Sequence, residues 1–212
     1  MTTIYFVRHG QSEANLTACF AGHIDIALTD LGRKQAACTA EFLADKPLAA
    51  VYTSDLARAM DTGRAISEKH GLDIRTRAAL REIDGGDWEG RPFEYLQQTD
   101  PMFTKFIKHI GVATCPNGES VADMLVRVRD AVGEIVKNHP DEAVCVVCHG
   151  TPIRAMTAQL TGVPVEEMHT VPWASNASVT VAEFADEQHG ILVAADLNAH
   201  LKDLVSKLPA NI

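Results

Sequence analysis

Near its amino terminus the chain reads Ile4-Tyr5-Phe6-Val7-Arg8-His9-Gly10. The four apolar residues that open this segment have high β-propensity and predict a buried strand. The apolar runs 48–53 and 143–148 have the same layout, because Arg58 follows the first and His149 follows the second. A helix is predicted to begin after each run. Charged or imidazole side chains therefore occur three times just beyond the carboxyl end of a predicted strand.

Short apolar runs alternate with longer segments of helical periodicity along the whole chain. Strands are predicted at 4–7, 48–53, 74–76, 143–148, 178–184 and 191–195. Helices are predicted over 29–44, from 55 to about 70, over 119–136, from about 151, and over a final apolar repeat at 197–208. This alternation is typical of an α/β fold. We expect a three-layer αβα sandwich with a central, mostly parallel, twisted sheet of about six strands.

Several helix boundaries carry local signals. Ser54 and Asp55 are predicted to cap the helix that follows the second strand. Ser120 with Asp123 resembles a capping box. Pro152 suits the first turn of the helix that follows His149-Gly150, because proline has no backbone N–H to leave unpaired there.

A length of 212 residues fits one domain over 1–212. No repeat, low-complexity block or Pro/Ser-rich linker divides it. Residues 83–118 are rich in glycine and proline, so they are expected to hold short helices in an excursion from the sheet that shapes the substrate site.

The composition excludes several function classes. Nineteen basic residues stand against 28 acidic ones, a net charge of −9, which disfavours nucleic-acid binding because that requires a basic surface. No apolar run approaches the ~20 residues that cross a bilayer, and no secretory signal is recognisable at the start. A cytoplasmic protein without membrane or nucleic-acid partners is expected.

The pair Cys145 and Cys148 has the C-x-x-C spacing of redox and zinc sites. It lies, however, within the predicted strand 143–148, where residues three apart point to opposite faces. Together with the other cysteines (Cys19, Cys38 and Cys115) these two are interpreted as small apolar residues.

The positions of Arg8, His9, Arg58 and His149 predict an anion site. Ligands of open α/β sheets bind beyond the carboxyl ends of the strands, where helix N-termini favour negative charge. Arginine matches phosphate oxygens in a bidentate manner, and imidazole can act as a nucleophile or an acid/base. Since the sequence shows no metal-binding motif or P-loop, we expect no metal and no cofactor.

These residues also carry a resemblance to a known family. Arg8-His9-Gly10-Gln11-Ser12, with Asn15 behind it, resembles the R-H-G-x-[ST] signature of the histidine phosphatase superfamily, also called phosphoglycerate mutase-like. Further blocks follow in the family's order: Gly22-x-x-Asp25-x-x-Leu28-Thr29-x-x-Gly32, Thr53-Ser54-Asp55-Leu56-x-Arg58-Ala59, Leu80-x-Glu82 with Gly86-x-Trp88-Glu89-Gly90, Pro116-x-Gly118-Glu119-Ser120, and His149-Gly150. The resemblance covers nearly the whole chain.

The resemblance implies a role for each matching residue. His9 would be the nucleophile that becomes phosphorylated, and Glu82 would be the acid/base. The phosphoryl group would be held by Arg8, Arg58 and His149, with Asn15 assisting. Other residues expected to line the substrate site are Gln11, Ala21, Gly22 and Gly150.

Three functions are compatible with this set of residues. The favoured one is a phosphatase, because residues 83–118 form only a compact excursion, whereas cofactor-dependent mutases of the family have a longer insertion and a longer C-terminal tail. A phosphoglycerate mutase-type phosphotransferase would use the same phosphohistidine. A non-catalytic member would only bind a phosphorylated ligand or a protein partner.

The substrate is expected to be a small phosphorylated metabolite. Arg91, Lys105 and Lys108 are the cations of the excursion that could meet a second anionic group. An exposed edge strand or the helix containing Val121 could support a homodimer. Trp88 and Trp173 are interpreted as packing anchors. The remaining histidines are interpreted as surface or packing residues: His23, His70, His109, His139, His169, His189 and His200.

Overall fold

The fold was obtained as a computed structural model, which describes residues 1–206. This part of the chain contains six strands: β1 (Thr2–Arg8), β2 (Leu48–Thr53), β3 (Ile74–Thr76), β4 (Ala143–Cys148), β5 (Val179–Phe184) and β6 (Gly190–Leu197). Seven α-helices accompany them: α1 (Glu13–Thr17), α2 (Asp30–Leu43), α3 (Ala57–His70), α4 (Phe93–Thr99), α5 (Pro101–Lys108), α6 (Val121–Asn138) and α7 (Gly150–Leu160).

The strands form one mixed sheet in the order β3-β2-β4-β1-β5-β6. The first four strands of this order run parallel, and β5 and β6 add an antiparallel hairpin at one side. Arg8 of β1 lies opposite Cys148 of β4, and Thr53 of β2 lies opposite Val147. The carboxyl ends of these three strands are therefore level, and the predicted mostly parallel, six-stranded sheet is confirmed.

Helices cover both faces of the sheet and bury separate cores. One core joins Val7, Val51 and Val147 to apolar residues of α2 and α3. The other core joins Phe6 and Val146 to apolar residues of α6 and α7. Successive strand residues thus alternate between the two cores, as the pleat requires, and the predicted three-layer sandwich is confirmed.

The same alternation separates the two cysteines of the C-x-x-C pair. Cys145 packs with α2 and α3, and Cys148 packs with α6 and α7. Both thiols are free, and burial raises the pKa of each, that of Cys148 to about 12. They are therefore buried thiols without the low pKa that reactive cysteines require, as predicted.

Two predicted helix signals are wrong. The N-cap of α3 is Leu56, which makes no side-chain capping bond; instead the Ser54 hydroxyl bonds to His149 and Asp55 pairs with Arg81. The final apolar repeat is not an α-helix, because its first residue ends β6 and a 3₁₀ segment over 199–204 is kinked at a non-helical residue. Leu201 is buried within this 3₁₀ segment. Leu208, the last residue of the repeat, lies outside the described residues.

The excursion over 83–118 holds α4, α5 and short 3₁₀ turns around Trp88. The Trp88 ring is buried against the rings of Phe103 and Phe106, with centroids 5.2 Å away in both cases. Its Nε1–H donates to Asp100 Oδ2 at 2.7 Å, while Asp100 Oδ1 accepts from the amide of Met102 and so caps α5. One carboxylate therefore joins the tryptophan to the helix above it.

Replacing Asp100 by alanine should destabilise the protein by about 1–2 kcal/mol, because a helix cap and the partner of a buried indole N–H are lost together. Urea unfolding monitored by tryptophan fluorescence measures this loss. Gln98→Ala, at an exposed position of α4, is the matched control and should change the free energy of unfolding by less than about 0.5 kcal/mol. Equal effects of the two substitutions would contradict the capping role.

Candidate active site

A cavity opens at the carboxyl ends of β1, β2 and β4. Nine of the ten predicted site residues line it: Arg8, His9, Gln11, Asn15, Ala21, Gly22, Arg58, Glu82 and Gly150. The tenth, His149, lies behind His9 and is fully buried, with the two ring centroids 5.1 Å apart. Residues that are far apart in the sequence thus meet around one cavity, because the parallel strands end at the same edge of the sheet.

The His9 ring has a defined tautomer. Its Nδ1 lies 2.7 Å from the carbonyl oxygen of Gly10. Since a carbonyl oxygen can only accept, Nδ1 carries the proton and Nε2 keeps its lone pair. Burial, followed by the charges of Arg58 and Arg8, lowers the pKa of His9 well below its usual value of 6.5. A neutral imidazole with a free nitrogen can act as a nucleophile.

Gly10 allows this segment to approach the start of α2 closely. A Cβ at Gly10 would lie 2.4 Å from the carbonyl oxygen of Gly32, so no larger residue fits without a shift of the backbone. The Gly10 amide donates to Thr62 Oγ1 at 3.1 Å, which ties the same segment to α3. The glycine of the R-H-G signature is therefore required by packing.

Backbone carbonyls hold the side chains of Arg8 and Arg58, and some N–H groups of each guanidinium have no partner among the described residues. Arg58 donates to the carbonyl oxygens of Gly22 and Ile24 at 2.8 and 2.9 Å, and Arg8 donates to that of Ala174 at 2.6 Å. The Nε atoms of Arg8 and Arg58 are buried without a partner among the described residues. Buried donors of this kind are costly unless they bind an acceptor, and their positive charge favours an anion.

His149 adds a further donor or acceptor beside His9. Its Nε2 lies 2.8 Å from Ser54 Oγ, and its buried Nδ1 has no partner within residues 1–206. Burial and the charge of Arg58 lower the pKa of His149 well below 6.5. The ring is therefore neutral. If the Ser54 hydroxyl donates to Nε2, then Nδ1–H is free to donate to a ligand.

The Glu82 carboxylate sits at the edge of the cavity. Its Oε1 accepts from the amide of Ile83 at 2.9 Å, and its Oε2 accepts from the amide of Thr151, in the first turn of α7, at 3.3 Å. A carboxylate in this position can exchange protons with a group bound above His9.

Two side chains that the sequence did not mark hold the backbone of Glu82. Arg127 of α6 donates to the carbonyl oxygen of Glu82 at 2.7 Å and forms an ion pair with Glu119 at 2.6 Å. His23 Nε2 bonds to the same carbonyl oxygen at 2.9 Å, although it was predicted as a surface or packing residue. The sequence offered only a weak signal, since Glu119 occurs in a family block to which no role was assigned.

Asn15 is oriented by its neighbours. Its Oδ1 accepts from the Ser12 amide at 3.0 Å and from Asn176 Nδ2 at 3.1 Å. The amide oxygen therefore points to the protein, and Nδ2 is the group left for a ligand. Asn176 also donates to the His9 carbonyl oxygen at 3.2 Å and lines the cavity. The sequence Asn176-Ala177-Ser178 matches only the pattern of a glycosylation acceptor, which gives no signal for this contact.

Gln11 and Gly22 have structural reasons for their places. Gln11 Oε1 accepts from Thr29 Oγ1 at 2.9 Å, which leaves its Nε2 as a donor. Gly22 has a φ of +48°, and a Cβ there would meet the carboxylate of Glu89 at 1.9 Å. Glycine adopts this φ without strain and leaves room for the Glu89 carboxylate, so it suits the position whose carbonyl accepts from Arg58.

The predicted cations of the excursion do not line the cavity. Arg91, Lys105 and Lys108 are exposed, and the lining contributed by 83–118 consists of Ile83, Phe93, Phe103, Phe106 and Ile107. None of these three candidate cations therefore contributes to the cavity lining. The reason is helical phase: the apolar positions of α5 point to the cavity and the core, so its lysines point to solvent.

Within residues 1–206 no three His, Cys, Asp or Glu side chains are grouped so that they could hold a metal ion. In the same part of the chain no helix has the length and apolar character needed to cross a membrane.

Comparisons with known proteins match this site and fold. A family model described as the histidine phosphatase superfamily (branch 1) matches residues 4–197. Glucosyl-3-phosphoglycerate phosphatase of Mycobacterium tuberculosis is 32% identical over 185 residues, 84% of this chain and 83% of that protein. Phosphoserine phosphatase 1 of Hydrogenobacter thermophilus is 30% identical over 202 residues, 95% of each chain.

A solved structure has the same architecture. Bacillus stearothermophilus YhfR superposes with a TM-score of 0.90 at 30% identity and covers 95% of this chain and 100% of that one. The mixed six-stranded sheet between helical layers is thus the predicted phosphoglycerate mutase-like fold.

The imidazole of His9 should remain neutral, with its proton on Nδ1, from pH 8 to well below pH 6.5, because its lowered pKa keeps the protonated form rare over that range. Nitrogen-15 NMR of the ligand-free protein distinguishes the two ring nitrogens. The same protein unfolded in urea is the control, in which the rings should titrate near the usual 6.5. Titration of folded His9 near 6.5, or a proton on Nε2, would show that this description is wrong.

Proposed function

The chain belongs to branch 1 of the histidine phosphatase superfamily, and on this premise we propose that it hydrolyses monoesters of small phosphorylated metabolites through a phosphohistidine intermediate on His9. One observation carries the proposal: a neutral imidazole with a free Nε2 lies beside two guanidiniums whose buried Nε–H groups lack partners among the described residues. A nucleophile and unused cationic donors around one cavity suit a phosphoryl group.

In the first half-reaction, Nε2 of His9 attacks phosphorus while the bond from phosphorus to the ester oxygen breaks. Arg8, Arg58 and His149 bind the oxygens of the phosphoryl group and stabilise the charge that develops on them, which is the main contribution a protein can make to this step. Glu82 gives its proton to the departing alkoxide. The products are the free alcohol and phosphohistidine.

In the second half-reaction, a water molecule attacks the phosphohistidine. The Glu82 carboxylate accepts a proton from this water as the new P–O bond forms. The N–P bond breaks, and its electron pair returns to Nε2. Inorganic phosphate leaves, and the enzyme is restored with neutral His9 and protonated Glu82. These steps use protein groups and water only, without a metal or cofactor.

Two features favour hydrolysis over the alternatives. A phosphoglycerate mutase must also hold the carboxylate of its substrate, yet among residues 1–206 the cationic side chains of the cavity are Arg8 and Arg58, both beside His9. A protein that only binds a phosphorylated ligand would not require a nucleophile or an acid/base, and this chain has both His9 and Glu82 at the cavity.

Replacing His9 by alanine should lower kcat for phosphate release from phosphomonoesters by about 10⁴-fold or more, because the nucleophile is lost. Activity is measured with EDTA present, and an acid-labile phosphoenzyme is trapped by rapid quenching of the wild-type protein with labelled substrate. His189→Ala, which removes an exposed histidine, should leave both readouts unchanged. Loss of activity with EDTA, or failure to trap a phosphoenzyme that depends on His9, would refute the mechanism.

Glu82→Gln should lower kcat/KM by about 10²- to 10⁴-fold for alkyl phosphates, whose leaving alkoxides need a proton. Aryl phosphates have leaving groups that depart without protonation, so their first half-reaction should be much less affected. The burst of phenol release, measured by stopped flow, isolates this half-reaction. Equal losses for alkyl and aryl esters would assign Glu82 a structural role.

A further inference from the structure

The cavity has a second, apolar region whose chemistry differs from that around His9. The excursion supplies Ile83, Phe93, Phe103, Phe106 and Ile107, and other segments add Cys19, Phe20 and Trp173. Arg8, Arg58 and Glu82 are the charged lining residues in the described chain, and all three belong to the proposed chemistry of the phosphoryl group. The remainder of a bound ester therefore meets mainly apolar side chains.

The apolar wall is built rigidly. The Phe103 ring stacks on Phe93 at 5.8 Å and on Phe106 at 6.1 Å, and Phe20 meets all three rings edge-to-face at 5.7–6.1 Å. The cluster packs against Trp88, whose Nε1–H donates to Asp100. Such packing leaves little freedom for a ring to turn away and admit water to a charged group.

The part of the lining that contains Trp173 is also held in place. The guanidinium of Arg154 lies 4.4 Å from the centre of the Trp173 ring, and Arg154 Nε donates to the Val171 carbonyl oxygen at 2.6 Å. Arg154 thereby fixes the loop that carries Trp173, while its own charge is occupied by that loop and is not part of the cavity lining. Trp173, predicted to be only a packing anchor, therefore presents an apolar surface to the cavity.

We propose, on the basis of the proposed function, that this site selects monoesters whose alcohol carries an uncharged apolar group, either aryl or a short alkyl chain. A carboxylate next to the phosphate would lose its hydration against phenylalanine rings without gaining a cationic partner. Phosphoserine and glucosyl-3-phosphoglycerate, after which two similar phosphatases are named, carry such a carboxylate. We therefore expect esters of this kind to be poor substrates of this chain.

A homologous series of methyl, propyl and pentyl phosphates tests the proposal, because the acidity of the leaving alcohol is nearly constant along it. Each buried methylene should raise kcat/KM by about fourfold. Replacing the two terminal carbons of butyl phosphate by a carboxylate, in 3-(phosphonooxy)propanoate, should lower kcat/KM by at least about tenfold. A flat series, or a preference for the carboxylate, would overturn the proposal.

Two substitutions on α5 locate the effect. Ile107→Ser makes a half-buried lining position polar and should reduce the dependence of kcat/KM on chain length, whereas Met102→Ser, at an exposed position of the same helix, should leave it unchanged. Urea unfolding verifies that both variants are folded. Equal dependence in the two variants would contradict an apolar subsite at Ile107.

The outcomes separate this inference from the proposed function. Hydrolysis of methyl phosphate through a phosphoenzyme on His9, with no increase along the series, would refute only the apolar subsite. Absence of turnover and of a phosphoenzyme with every ester would refute the hydrolase itself, and the subsite with it.

Discussion

Two arginines buried side by side at one edge of a sheet are the constraint on which the rest of this structure depends. Burial of like charges is unfavourable unless each is well hydrogen-bonded. Arg58 is 1% exposed and Arg8 7%, and backbone carbonyls satisfy only part of each guanidinium. The remaining donors and the positive potential are compensated when an anion binds.

Burial and these charges together determine the protonation of the two nearby histidines. Burial, followed by the positive charge of the guanidiniums, disfavours a cationic ring, so His9 and His149 have pKa values well below 6.5. A neutral ring can donate through one nitrogen and attack through the other. In His9, the hydrogen bond to the Gly10 carbonyl oxygen places the proton on Nδ1 and leaves the lone pair on Nε2. The proposed binding of phosphate and the proposed nucleophilic role of His9 therefore depend on the same buried, cationic surroundings.

Two parts of the molecule line the cavity: the segments at the carboxyl ends of the central strands and the excursion over 83–118. The proposed phosphoryl site lies at the carboxyl ends of β1, β2 and β4, whose register is set by the parallel ladder. The excursion over 83–118 supplies most of the apolar lining, and Glu82 directly precedes it. Arg127 of α6 donates to the carbonyl oxygens of Arg81 and Glu82 and so holds the segment that leads into the excursion. The position of Glu82, the proposed acid/base, thereby depends on a helix of the sandwich.

Local patterns were sufficient to predict the strands, the level strand ends and the convergence of Arg8, His9, Arg58 and His149, because pleat alternation and parallel connection constrain them strongly. They could not predict the contacts of Asn176, which reaches a residue 167 positions away; a single polar side chain has no periodicity. Nor could they predict that the apolar side of α5 lines the cavity as well as the core. That position depends on the packing of Phe103 and Phe106 on Trp88, and it gives this part of the cavity its apolar lining.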